Sequence, residues 1–271
     1  MSGDPLVQKI LSEVLRQSDL RTQVNSNKNY DKTGESQSLN NMQKTSLSSL
    51  SKPREEVIGC TKDGTIGLVI PNLDEKIKHN LKFENKRMAV GIISSRIGSA
   101  AQIMAVDESV KKTNSTVVSI DFARDGKGGT GHGAFVVLSS YDVADVTRAV
   151  EIALSYTEEF LKDAIMLSSG SIETYYTARA STALNKAFNA PLDRAFGIII
   201  GAPAGIGMIM GDVAVKSASI DVTYCSGPSV KSAFSNEFWL TATGDSAAVR
   251  SALEAAKSVG KQLLEYSQGQ S

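Results

Sequence analysis

The chain has 271 residues, of which 41% are hydrophobic and 21% charged, with 29 Lys+Arg balanced by 29 Asp+Glu. That balance removes the electrostatic case for nucleic acid or an anionic membrane surface as a partner, and two cysteines, Cys60 and Cys225, do not make a disulfide framework. No apolar run has the length of a membrane-spanning helix, and the N-terminus lacks the basic segment and apolar core of a signal peptide, so a soluble intracellular protein is expected.

Residues 1–17, MSGDPLVQKILSEVLRQ, predict an amphipathic helix. Asp4 suits the N-cap and Pro5 the first helical position, where its missing N–H costs nothing. Leu6, Val7, Ile10, Leu11, Val14 and Leu15 share one face, opposite Gln8, Lys9, Ser12, Glu13 and Arg16. A helix this short needs a partner surface to be stable in water. Residues 18–54 are polar and poor in aromatics, a composition that cannot bury enough to fold, so they are expected to form a flexible linker. An apolar helix on a long tether suits a recruiting peptide, with docking onto its own domain as the alternative.

Beyond residue 54 the chain repeats itself. GAFVVLSSYDVADVTRAVEIA (133–153) aligns with NEFWLTATGDSAAVRSALEAA (236–256), matching Phe135 to Phe238, Asp142 to Asp245 and Glu151 to Glu254. Upstream, MAVDESVKKTNSTVV (104–118) aligns with IMGDVAVKSASIDVT (209–223), matching Asp107 to Asp212 and Lys111 to Lys216. Two stretches in the same order point to a tandem duplication, with units at 55–163 and 164–267 and a tail at 268–271. Each unit reads as an early strand, a short helix, a buried-type strand, a helix, two strands around an open loop, and a long terminal helix. Asp142 and Asp245 stand where N-caps belong, and Val249, Leu253, Ala256, Val259 and Leu263 form the sheet-facing stripe of the last helix. The expected class is α/β (α+β): two duplicated domains, each a small, mainly antiparallel sheet flanked by helices.

The glycine-rich stretches offer little to a cofactor. DGKGGTGHG (125–133) runs from strand to strand and lacks a terminal GK[ST], so no helix N-terminus faces a phosphate. In GAPAGIGMIMG (201–211), Gly205 and Gly207 begin a dinucleotide-like pattern, but Met210 takes the third glycine's place. The matching turn of the first unit, SSRIGSAAQIM, has no G-x-G, which favours tight packing. His79 belongs to a short charged helix, His132 has no counterpart in the second unit, and no metal-ligand or nucleophile–base spacing occurs. Neither a catalytic residue nor a cofactor nor a metal site is expected.

These units resemble bacterial microcompartment shell domains over roughly residues 55–267. The resemblance is carried by Asp107-x-x-x-Lys111 and Asp212-x-x-x-Lys216, each followed by strand, loop, strand and a YD or GD helix start. The early strand and helix of each unit resemble the circularly permuted, tandem, trimer-forming subtype. IGLVIPNLD, TARAS (177–181), GHG and SNE are most similar to those of propanediol- and ethanol-utilisation compartments. The resemblance implies a structural protein of the shell in the bacterial cytoplasm, with no enzymatic activity. Three chains would form a flat pseudo-hexamer that tiles with other shell proteins into facets. It implies edge positions for Lys111 and Lys216. It places Lys127, Gly128, Gly129, His132, Ser229, Lys231, Ser232, Ser235 and Asn236 on pore-lining loops, open to small polar metabolites of the diol, alcohol or aldehyde class. The N-terminal helix would bind encapsulated enzymes. Some relatives hold an iron–sulfur cluster through one cysteine per chain, but Cys225 stands several residues before its loop centre and is a poor match. The competing reading is a small-molecule-binding enzyme of duplicated α/β domains, weakened by the missing catalytic signature.

Overall fold

A computed structural model describes residues 57–80, 83, 89–96, 98–124, 132–228 and 236–269. The helix expected over 1–17, the linker over 18–54 and the centres of both glycine- and serine-rich loops lie outside these residues. Two five-stranded sheets follow one another along the chain. The first unit contains β1 (Val57–Cys60), β2 (Ile66–Ile70), α1 (Glu75–Asn80), β3 (Ala89–Ser94), α2 (Ala100–Val110), β4 (Thr116–Arg124), β5 (His132–Ser140) and α3 (Val143–Leu161). The second contains β6 (Ile165–Leu167), β7 (Gly170–Thr177), α4 (Thr182–Phe188), β8 (Ala195–Ala202), α5 (Ala204–Ser217), β9 (Ile220–Ser226), β10 (Phe238–Gly244) and α6 (Ser246–Ser267). The strand orders are β1-β2-β3-β5-β4 and β6-β7-β8-β10-β9, the same topology twice. Every pairing is antiparallel.

The long helices behave as their periodicity requires. α3 buries Val146, Ala149, Val150, Ala153 and Thr157 against its sheet, and Asp142 caps it by accepting from the N–H of Ala144 at 2.8 Å. Asp245 occupies the equivalent N-cap of α6, yet its side chain makes no capping bond. α6 buries Val249, Ala252, Leu253, Ala256, Gly260 and Leu264. The expected stripe therefore needs one correction. Steps of three, four and four residues from Leu253 lead to Leu264, and Leu263 is left only half-buried. Glycines bring helix and sheet together. A Cβ on Gly91 would lie 2.7 Å from Val146 Cγ1, and one on Gly201 of β8 would lie 2.4 Å from the Cα of Gly207 in α5. Gly201 and Gly207 thus serve close backbone packing, whereas a Cβ on Gly205 would meet nothing within 4 Å.

The central strand β8 is buried almost throughout, as its unbroken apolar run demands. Ala195 and Ile199 face the core formed with α5 and α6. Phe196, Ile198 and Ile200 point the other way, into a core shared with Ala100, Ala101, Ile103 and Met104 of α2. One helix of the first unit therefore covers the far face of the second sheet. Phe122 of β4 extends this contact, with its ring 5.5 Å from Phe188 and 6.2 Å from Trp239. Burial of Ile103 and Met104 alone is worth roughly 2 kcal/mol each by transfer scales.

Candidate functional site

The joint between the two units is the most elaborate polar site among the described residues. Asp107, in the last turn of α2, is buried beneath the N-terminus of α4. The N–H of Ser181 donates to its two oxygens at 2.9 and 3.2 Å, and the Ser181 hydroxyl donates to Oδ1 at 2.6 Å. The N–H of Leu184 adds a bond of 3.1 Å. Ser181 is the N-cap residue of α4 but makes no capping bond with its own side chain. The cap comes instead from the other domain, and its negative charge lies at the positive end of the helix.

Lys111 completes this joint. Its ammonium lies 3.3 Å from Asp107 Oδ2 and pairs with Glu108. It also donates to Thr177 Oγ1 at 3.0 Å and to the carbonyl of Arg179 at 2.9 Å. With its side chain 12% exposed, Lys111 spends its charge inside the chain. Lys111 therefore points into the fused second unit, at Thr177 and Arg179. Lys216, its counterpart, is 74% exposed and pairs with Asp212, itself 57% exposed, at 2.7 Å. The duplication thus places the same two side chains in opposite environments.

A buried polar strip near this joint was not foreseen. Gln102 of α2 donates to Asp63 Oδ2 at 3.2 Å and to Thr65 Oγ1 at 2.9 Å. Gln102 Oε1 and Ser99 Oγ are buried and have no hydrogen-bond partner among the described residues. On β7, Tyr175 donates its hydroxyl to Glu173. Burial, reinforced by the carboxylate of Glu237, pushes the Glu173 carboxyl above its ordinary range. Burial and then Glu173 push the Tyr175 hydroxyl well upward as well. Gln102 stands 39 and 37 residues from Asp63 and Thr65 in sequence, and no local motif signals their contact.

The predicted pore residues are only partly described. The backbone of His132 opens β5 and pairs with Arg124 across the neck of the first loop. Gly133 has a steric role there, since a Cβ would fall 2.1 Å from the carbonyl oxygen of Ser95. Asn236 is exposed at the end of the second loop, and its Oδ1 accepts from the N–H of Ala204 at 3.3 Å. Lys127, Gly128, Gly129, Ser229, Lys231, Ser232 and Ser235 lie outside the described residues, as do Leu6, Val7, Ile10, Leu11, Val14 and Leu15. Cys60 and Cys225 are exposed free thiols. Among the described residues, no group of three or more His, Cys, Asp or Glu side chains is placed to hold a metal.

Comparison with known proteins accounts for the duplicated architecture. A family model described as the BMC domain matches residues 89–187 and 195–268. The bacterial microcompartment shell protein PduB of Citrobacter freundii is 41% identical over 264 residues, spanning 97% of this chain and 94% of that protein. The crystal structure of EtuB from Clostridium kluyveri is 44% identical with a TM-score of 0.73, covering 78% of this chain and 93% of that one. The crystal structure of a trimeric microcompartment shell protein PduB also gives 0.73, at 39% identity, covering 78% and 94%. The first match runs from β3 into α4 and the second from β8 through α6. The chain belongs to the bacterial microcompartment shell proteins and carries their domain twice.

Proposed function

We propose that this protein builds microcompartment shell facets as a homotrimer whose six domains form a pseudo-hexameric tile. The observation that carries this reading is the joint between α2 and the second sheet. Two like units meet there through different surfaces, α2 of the first against β7, β8 and α4 of the second. Such a head-to-tail contact between equivalent units makes a ring when its rotation closes and an open filament when it does not, and a ring of three fused pairs gives six places. The relatives are shell proteins, and no comparison supports an enzyme of duplicated α/β domains. Electron microscopy of purified protein tests the reading. Flat sheets, tubes or closed shells are expected, whereas a discrete oligomer that never extends would overturn it.

Two finer assignments follow from the same reading. Small polar metabolites pass through openings lined by the β4–β5 and β9–β10 loops, where Lys127, His132, Lys231 and Asn236 supply polar groups and glycine and serine leave room. The segment 1–17 holds cargo enzymes through Leu6, Val7, Ile10, Leu11, Val14 and Leu15. Its deletion should leave tiles unchanged while shells lose their cargo, and full loading by the truncated protein would refute the role.

A further inference from the structure

The two halves of the chain can be matched residue by residue. Gly91 and Gly197 each face the terminal helix of their unit, against Val146 and Val150 or Val249 and Leu253. The next strand over then equates Ile70, paired with Val90, and Thr177, paired with Phe196. Four residues on, Asp74 and Ser181 stand at the N-caps of α1 and α4. On the helices, Val106 packs with Ala134 and Val136 as Gly211 faces Phe238 and Leu240, which equates Asp107 with Asp212.

Matched positions differ in what covers them. Ile103 and Met104 of α2 are fully buried against the second unit, but their counterparts Met208 and Ile209 on α5 are exposed. Leu184 of α4 is buried by α2, but its counterpart Ile77 on α1 is exposed. In β3, Ile92 is only half-buried where the equivalent Ile198 is fully buried. One chain therefore ends in two bare surfaces that correspond to the two sides of its own internal joint. The occupant that fits each is a second copy of this chain.

The charges do not simply repeat. Inside the chain, the joint holds Asp107, Glu108 and Lys111 on one side and the neutral Ser181 on the other. At the bare surfaces Glu108 becomes Val213, and Ser181 becomes Asp74. One carboxylate has changed sides, and the total charge stays the same. Asp212, placed as Asp107 is, would meet a carboxylate where Asp107 meets the Ser181 hydroxyl, with the backbone N–H common to both joints. Lys216, lacking a second acid on its own helix, is free to lie between the two.

We propose that the trimer closes by a charged variant of the internal joint, in which Lys216 bridges its own Asp212 and Asp74 of the partner subunit. This rests on the trimeric reading above and moves Lys216 from the tile boundary to the joint between chains. Analytical ultracentrifugation of the full-length chain tests it, at about 50 mM and 500 mM salt. Lys216→Glu should weaken trimer association about tenfold or more at low salt, and combining it with Asp74→Lys should recover most of the loss. Asp74→Ser keeps a capping side chain and recreates the internal joint, so its trimers should lose most of their salt dependence. If the natural protein never trimerises, the trimeric reading falls and the bridge with it. If it trimerises and Lys216→Glu does so equally well, or the double variant shows no recovery, the bridge alone is overturned.

Discussion

Replacing Asp107 by alanine should strike at the joint that makes the two domains one folding unit. The variant strips the N–H groups of Ser181 and Leu184 and the Ser181 hydroxyl of their acceptor in a buried site. Loss of a helix cap costs about 1 kcal/mol, and each buried donor left unmatched adds about 1–3 kcal/mol before relaxation. Lys111 retains Glu108 and so keeps one carboxylate. Allowing for rearrangement and water entry, a loss of roughly 3 kcal/mol is expected. For a folded unit of this size that lowers Tm by about 6–12 °C. Asp212→Ala supplies the control in dilute, dissociated protein, where its exposed side chain should be worth less than about 0.5 kcal/mol. Differential scanning calorimetry of the two variants reads the comparison directly. Equal shifts, or a shift under about 2 °C for Asp107→Ala, would refute the cross-domain cap.

Met104→Ala should cost about 2–5 kcal/mol in chemical denaturation by opening a cavity in the shared core, while Ile209→Ala leaves the single chain's stability almost unchanged and weakens trimer association. Gly207→Ala should destabilise despite alanine's better helix propensity, because its Cβ would lie 2.8 Å from the carbonyl oxygen of Gly201; a rise in Tm would contradict the packing role. The raised Glu173 carboxyl sets a pH dependence. Its folded form holds the proton more tightly than the unfolded chain, so stability should fall as pH rises from about 4.5 through the folded value, and Glu173→Gln should flatten that slope and gain stability at neutral pH.

Much of the fold is legible in the sequence because a duplication supplies its own control. The succession of strands and helices along the chain, the long helices and the strand-to-strand setting of DGKGGTGHG all follow from comparing one half with the other. The packing role of Gly201 and Gly207 in GAPAGIGMIMG is also legible, since a turn shared without its glycines points to packing. What the repeat hides is context. Asp107–Lys111 and Asp212–Lys216 are identical in spacing, and nothing local distinguishes a pair sealed beneath a neighbouring domain from one left in solvent. A signal was present one residue away. Glu108 against Val213, and Ser181 against Asp74, mark the two joints as different. The buried group of Asp63, Thr65 and Gln102 carries no such signal, because only the packing of α2 against the β1–β2 connection brings its members together.

The difference between the joints has a consequence for assembly. The internal joint is covalently tethered, so its effective concentration is high whatever the protein concentration. It also buries its carboxylate against fixed donors, which salt screens weakly. The joint between chains has no tether, and its charges remain near solvent until the ring closes. A tile built from both kinds alternates three permanent joints with three that respond to concentration and ionic strength. Dilution should therefore release whole chains with both domains folded, and free single domains should not appear. Native mass spectrometry along a dilution series would show trimer giving way to intact monomer, with the monomer retaining the cooperative unfolding of a single unit. Two separate unfolding transitions in that monomer would mean that the shared core of α2 and β8 does not couple the domains.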